Sequence, residues 1–303
     1  MQYVTTVIML TSRIRHQPIL QLLSGAFMIS FSAVFVKIAG VSPTASAFYR
    51  VFFGAIVLLA AALWPQTTPK KLPGHWWLLV LCGFLFALDL FFWHEAILYV
   101  GPGLATILGN FQVFLLTGIG IVFLGDKIRP GFILSVPLAV AGLSLIVGWN
   151  WSTLDSDYRI GLYFGLLTAI CYAAFLLCLR RVQTDSINAL IWSLCAISAC
   201  CAFFLGLKMI YAGDSFIIPN LNSLFTLVSL GLFCQSIGWV IIAKALPAIR
   251  PGLAGLLLLL QPTLAFIWDV LMFSRETTAL NWAGVMLTLT AIYLGARPQR
   301  AQP

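Results

Sequence analysis

Long apolar runs, broken at short intervals by Pro, Gly and charged residues, dominate the pattern along this chain. They fall at 19–40, 44–64, 76–99, 103–124, 131–149, 160–179, 187–211, 223–246, 251–273 and 279–296. Each approaches the ~20 helical residues needed to cross a hydrocarbon core, and none shows the ten-residue alternation of a membrane barrel strand. The pattern predicts an all-α integral membrane protein with ten transmembrane helices joined by short links. The division between the eighth and ninth runs is the least marked, resting on Pro247, Arg250 and Pro251.

Composition agrees with lipid as the solvent. Of 303 residues, 61% are apolar and 9% charged, against about a quarter charged in ordinary soluble domains; mean hydropathy is +1.01. The net charge of +8 does not point to nucleic acid, because no basic stripe with interleaved aromatics exists. It reports orientation instead. Arg13, Arg15, Lys70, Lys71, Lys127, Arg129, Arg180, Arg181, Arg250, Arg297 and Arg300 fall on one side of the alternating links, and only Arg159 and Arg275 on the other. By the positive-inside rule both termini are cytoplasmic, in an inner or plasma membrane. A cleaved signal peptide ending at Ala45 and Ala47 is rejected, since the apolar region is too long and Lys37 interrupts its end. The seven cysteines lie in apolar runs without C-x-x-C spacing and read as small buried hydrophobes.

An internal repeat organises the runs. Residues 96–112 match 245–261 at a constant offset of 149, with seven of 17 positions identical, including a shared Pro-Gly-Leu-Ala and the pair Gln112 and Gln261. The expected organisation is a cytoplasmic segment at 1–18, a first five-helix repeat at 19–149, an external linker at 150–159, a second repeat at 160–296 and a cytoplasmic tail at 297–303. An odd number of crossings per copy forces the second copy to enter from the opposite side, giving two inverted repeats.

Several features together resemble the EamA type of the drug/metabolite transporter superfamily. They are the two five-span halves, Arg50 within Phe48-Tyr49-Arg50, the Pro-Gly-Leu-Ala helix starts, and acidic residues ending the fourth and ninth spans. The resemblance covers residues 20–296 and implies a central cavity between the halves; members of that family include exporters of amino acids and other small metabolites, but the resemblance implies no particular substrate. The chain departs from the pattern at Gly125-Asp126-Lys127, where Gly-Glu is common, and at Gln112, which lacks the proline that follows Gln261 as Pro262.

Polar groups inside the spans are the candidate site, because an ionisable side chain near the bilayer centre costs about 2.5–3.5 kcal/mol on insertion scales. Arg50 and Asp89 lie at matching depths in spans two and three. A contact pair between them would be worth about 4 kcal/mol at an effective dielectric near 20; facing a cavity, they bind a carboxylate or an amine instead. Trp93 shares a helix face with Asp89 and offers a stacking surface, or else belongs to the interfacial aromatic belt. Glu95 is a candidate for proton coupling. Gln112 and Gln261 reach the midplane from opposite directions, with amides that suit neutral or zwitterionic groups; Asn110 points elsewhere on its helix. Gln235 and Trp239 repeat the four-residue spacing of Asp89 and Trp93 in the opposing half. Hydrogen bonding between helices is the equal alternative for Gln112, Gln261 and Asn110.

The function these features predict is gradient-driven transport, as an exporter, of a small metabolite such as an amino acid, by alternating access between the repeats. The partners are that small molecule and the lipid bilayer. No catalytic residue, metal site or cofactor is expected. The rival class is a membrane-embedded enzyme acting on a lipid or isoprenoid. It finds no support in G-x-S-x-G, H-E-x-x-H, phosphate-loop or D-D-x-x-D motifs, and His94-Glu95 fails as a zinc helix because Leu98 stands where the second His belongs.

Overall fold

The computed structural model describes residues 17–63, 76–125, 130–147, 156–182, 186–274 and 276–296, and these are helical with no strand among them. Helix α1 runs Gln17–Ala39 with a turn at Phe31 and stops at Gly40 in the left-handed region, φ 62°, where a side chain would be strained. Helix α2, Pro43–Ala62, starts on Ser42, whose hydroxyl accepts from Ala45 N at 3.2 Å. Helix α3 spans Trp76–Gly109, α4 Gln112–Leu124, α5 Pro130–Val147 and α6 Ser156–Arg181. Helix α7, Ile187–Ala212, repeats the start of α2, with Ser186 accepting from Ala189 N at 3.2 Å. These caps satisfy N–H groups that the first turn leaves open.

Helix α8 covers Leu221–Ala248. Its middle, Leu230–Gly238, is a π-helix between α-helical Leu221–Ser229 and Trp239–Ala245. Helix α9 is Pro251–Phe273 in two segments, Pro251–Leu258 and Leu260–Phe273, and α10 is Ala279–Ala296. Seven helices are long and apolar enough to cross a bilayer; Gln112–Leu124, Gly131–Ile146 and Ala279–Gly295 are shorter apolar helices. Large apolar side chains such as Val122, Phe123, Leu134 and Ile210 are exposed, as expected of a surface that meets lipid.

The structure revises two local expectations. The break between the third and fourth runs is not a loop, because helical backbone continues from Trp76 to Gly109. The chain nevertheless reverses there: a Cβ on Gly109 would lie 4.0 Å from Trp93 Cδ1, residues that a straight helix would hold roughly 24 Å apart. The intervening stretch contains Gly101-Pro102-Gly103, whose proline offers no N–H to the helix ladder. The eighth run is likewise not a plain α-helix, and its π segment carries Gln235.

The repeat extends well beyond the window of sequence identity. Helices α5 and α10 share both bounds at the offset of 149. They also pack on each other: a Cβ on Gly284 would come within 2.5 Å of Gly142 O, so this crossing has no room for a side chain. Thr288 Oγ1 donates to Ala139 O at 3.5 Å across 149 residues. A residue touching its own repeat counterpart lies on the axis that relates the copies, so that axis runs between α5 and α10. Asn281 strengthens the pair, its Nδ2 donating to Leu145 O at 3.1 Å and Ile146 O at 2.9 Å.

Candidate substrate site

Polar side chains from both halves converge in the interior. Arg50 on α2 donates through Nε to Gln235 Oε1 at 3.1 Å, and Gln235 Nε2 donates to Ser198 Oγ on α7 at 3.1 Å. With one end of the amide accepting and the other donating, the glutamine has a single orientation. Its position in the π segment brings it against Gly54 of α2, whose missing side chain leaves the room its stem occupies. Guanidinium, amide and hydroxyl thus form a chain across three helices.

Asp89 on α3 is 8% exposed. It lies within electrostatic reach of Arg50, yet among the described residues the carboxylate has no ion pair within 4.0 Å. The contact pair between Arg50 and Asp89 that matching depths allowed is therefore not formed. Gln235 takes the Arg50 Nε–H instead, leaving the guanidinium and the Asp89 carboxyl group near one another without a contact pair. Tyr172 on α6 lies within reach of both charges, and its ring is stacked with Phe175 at 6.4 Å between centroids. Phe175 stacks on Phe86 at 4.6 Å, and Trp239 closes edge-on against Phe175 at 5.1 Å and Phe86 at 5.5 Å. Phe86 is three residues from Asp89, so this aromatic wall adjoins the carboxylate.

The remaining candidates divide. Trp239 is buried, with Nε1 lacking a hydrogen-bond partner, and Gln261, whose Nε2 is likewise buried, interacts with the Tyr172 side chain. Gln112 is fully buried and donates to Gly255 O on α9 at 3.4 Å. Asn110 turns to its own helix, donating to Thr106 O at 2.8 Å. Trp93 is half-buried, edge-on to His94 at 5.0 Å. Glu95 is half-buried and has no ion pair with a described residue. His94, 8% exposed, has an unpartnered Nδ1. Ser198, Tyr172, Phe86 and Phe175 were not anticipated; a lone Ser and aromatics in apolar runs look like any other packing residue. Of the span-end lysines, Lys208 does more than reach the interface, pairing with Asp214 at 2.9 Å and donating to Thr44 Oγ1 at 3.2 Å. Gly161 packs on Tyr99 and Val100 and Gly165 on Leu108, as a helix-packing face should. Among the described residues no cluster of His, Cys, Asp or Glu is arranged to hold a metal ion. The Asp269 side chain, the 150–155 part of the linker with Asp155, residues 1–16 of the N-terminal segment and the tail at 297–303 fall outside the described residues.

Two matches to one family model, the EamA-like transporter family, cover residues 17–148 and 159–296. The chain belongs to the EamA-like transporter family. It is a multi-pass membrane transporter of the drug/metabolite type, built from a repeated unit. A crystal structure superposes with a TM-score of 0.78 at 17% identity, over 92% of this chain and 97% of that one, and 29 chains of solved structures match in all. At that identity the likeness concerns the fold alone. Compared with curated protein sequences, the chain matches none. For an EamA-like transporter, a buried charged cluster to which both halves contribute is the natural candidate for where the transported molecule rests.

Proposed function

We propose that this EamA-like transporter is a gradient-driven exporter of a small zwitterionic metabolite such as an amino acid. Two inverted five-helix halves, ten crossings in all, expose the Arg50 and Asp89 cluster to each side of the membrane in turn. The observation that carries the reading is the pair of opposite charges kept apart. Arg50 is anchored on neutral Gln235, and Asp89 is buried with no ion pair within 4.0 Å among the described residues. Leaving them separate costs stability that direct pairing would recover. A zwitterion repays that cost, its carboxylate on the free guanidinium nitrogens and its ammonium on Asp89, while the Trp239, Phe86 and Phe175 wall receives an apolar side chain. In this reading Trp93, Asn110, Gln112 and Gln261 are further contacts for the solute and Glu95 is the coupling candidate. The loop charge bias supports cytoplasmic termini in an inner or plasma membrane.

Reconstitution in liposomes and counterflow of a panel of labelled amino acids tests the proposal. Saturable exchange, lost in Asp89→Asn and reduced in Gln112→Ala while both variants stay monodisperse, is the expected result. Exchange that survives Asp89→Asn unchanged would remove Asp89 from the site.

A further inference from the structure

The two midplane glutamines are identical in the repeat but differ in their bonding, and the difference has a local cause. Under the offset of 149 that relates the halves, the pair Gln112 and Gly255 maps onto the pair Gln261 and Thr106. The first pair is bonded across the halves, Gln112 Nε2 to Gly255 O at 3.4 Å. The second is not: the buried Nε2 of Gln261 makes no bond to Thr106 O and interacts with the Tyr172 side chain instead. Its equivalent acceptor, Thr106 O, is occupied by Asn110, which donates from its backbone N–H at 3.1 Å and from Nδ2 at 2.8 Å. A carbonyl has two lone pairs, and both are engaged.

In the second half the residue equivalent to Asn110 is Leu259, which has no side-chain donor. Its backbone N–H goes to Leu256 O at 3.2 Å rather than to Gly255 O. Gly255 O is therefore left for Gln112. A Cβ at Gly255 would also stand 3.2 Å from Gln112 Oε1 and 3.0 Å from Leu116 Cδ1, so the glycine keeps this approach open. The bond formed is longer than the usual 2.9–3.0 Å and correspondingly easy to give up. At the same time Gln112 Oε1 is sealed from solvent and unpaired, and exchanging the roles of the halves moves this unmet polar group from Gln112 to Gln261 without a net cost.

We infer that these glutamines form an exchange latch between the two conformations, with Asn110 setting its bias. In the conformation described here Gln112 bonds Gly255 O. In the opposite one, which the pseudo-symmetry generates by exchanging the roles of the halves, Gln261 bonds Thr106 O and Gln112 lets go. Asn110 competes with Gln261 for Thr106 O, and nothing competes with Gln112 for Gly255 O, so the resting equilibrium favours the described conformation. The inference rests on the reading that the two halves exchange conformations, and not on which solute is carried.

Hydrogen exchange read by mass spectrometry on the full chain in lipid nanodiscs tests it without any substrate. Asn110→Leu, which installs the residue found at the equivalent position, and Gln112→Leu are both expected to shift the equilibrium toward the opposite conformation. Amides exposed only there should exchange about fivefold faster, the worth of one hydrogen bond. Gln261→Leu should slow the same amides, and Asn110→Leu placed on Gln261→Leu should add nothing, because the competitor has lost its rival. Circular dichroism and elution volume establish that each variant is folded, and Asn110→Ala serves as a smaller deletion if the leucine is not accommodated. The inference is overturned if the Asn110 variants leave exchange unchanged, or if their effect persists in the Gln261→Leu background. The counterflow assay is separate: a latch that behaves as described in a protein that exchanges no amino acid would sink the substrate reading and leave the latch standing.

Discussion

The α5 and α10 pair and the Arg50 and Asp89 cluster are two outcomes of one duplication. At the first, the copies have kept identical bounds, cross at Gly142 and Gly284, and touch through a residue and its own counterpart, Ala139 and Thr288. At the second, they have parted. Asp89 stands on an α-helical turn of α3, whereas the corresponding helix of the other half, α8, carries a π segment with Gln235. A scaffold whose halves exchange roles works best when they are alike, because the two conformations then have similar energy. A binding site has no such requirement. In the proposed reading it receives one molecule with a distinct head and tail, so equivalent positions are free to differ, as Asp89 and Gly238 do at the offset of 149.

The comparison can be broken or sharpened by substitution. The largest effect is expected at Asp89: Asp89→Asn should slow counterflow by about 10- to 100-fold, the loss of one charge-assisted hydrogen bond. Initial rates in proteoliposomes at matched protein content decide this, and parent-like rates would put the asymmetric cluster outside the transport path. Next comes the symmetric crossing. Gly284→Ala forces a Cβ against the Gly142 carbonyl and should destabilise the fold by about 1–3 kcal/mol, seen as a lower thermal midpoint in detergent. An unaltered midpoint would mean the crossing is looser than described.

A smaller effect separates anchoring from binding. Gln235→Leu removes the neutral partner that keeps Arg50 off Asp89, and the apparent affinity for the solute should fall about fivefold. Saturation curves for the variant and parent give the answer; equal KM values would show that Arg50 does not depend on its amide partner. The smallest effect belongs to Lys208 and Asp214, which are 24% and 27% exposed. Lys208→Met should change stability by less than about 1 kcal/mol, and the change should shrink further as salt is raised.

Much of the architecture was legible without coordinates, since bilayer thickness converts apolar run length directly into helices. The repeat was legible where Pro102 and Pro251, the Gly-Leu-Ala that follows them and the two glutamines coincide. Elsewhere leucine, isoleucine and valine replace one another on lipid-facing and packed surfaces alike, and identity faded although the helix bounds of α5 and α10 did not. Within the site, Arg50, Asp89, Gln112, Gln235 and Gln261 were visible because polar groups in hydrocarbon need a reason. Tyr172, Ser198, Phe86 and Phe175 were not visible, because such residues are at home in any membrane helix.

Taken alone, then, the amino-acid order determined the solvent, the helical class, the repeat and a short roster of misplaced polar residues. Each of these follows from periodicity and transfer cost, which are properties of a residue and its neighbours along the chain. Tertiary structure decided the pairings: that Arg50 goes to Gln235 and not to Asp89, that the chain reverses through continuous helix before Gly109, and that Gln112 has an acceptor across the halves while Gln261 has none. Residues 185 and 143 positions apart meet in these hydrogen bonds. The choice of partner depends on how helices rotate and bend against one another, and no local pattern encodes that rotation.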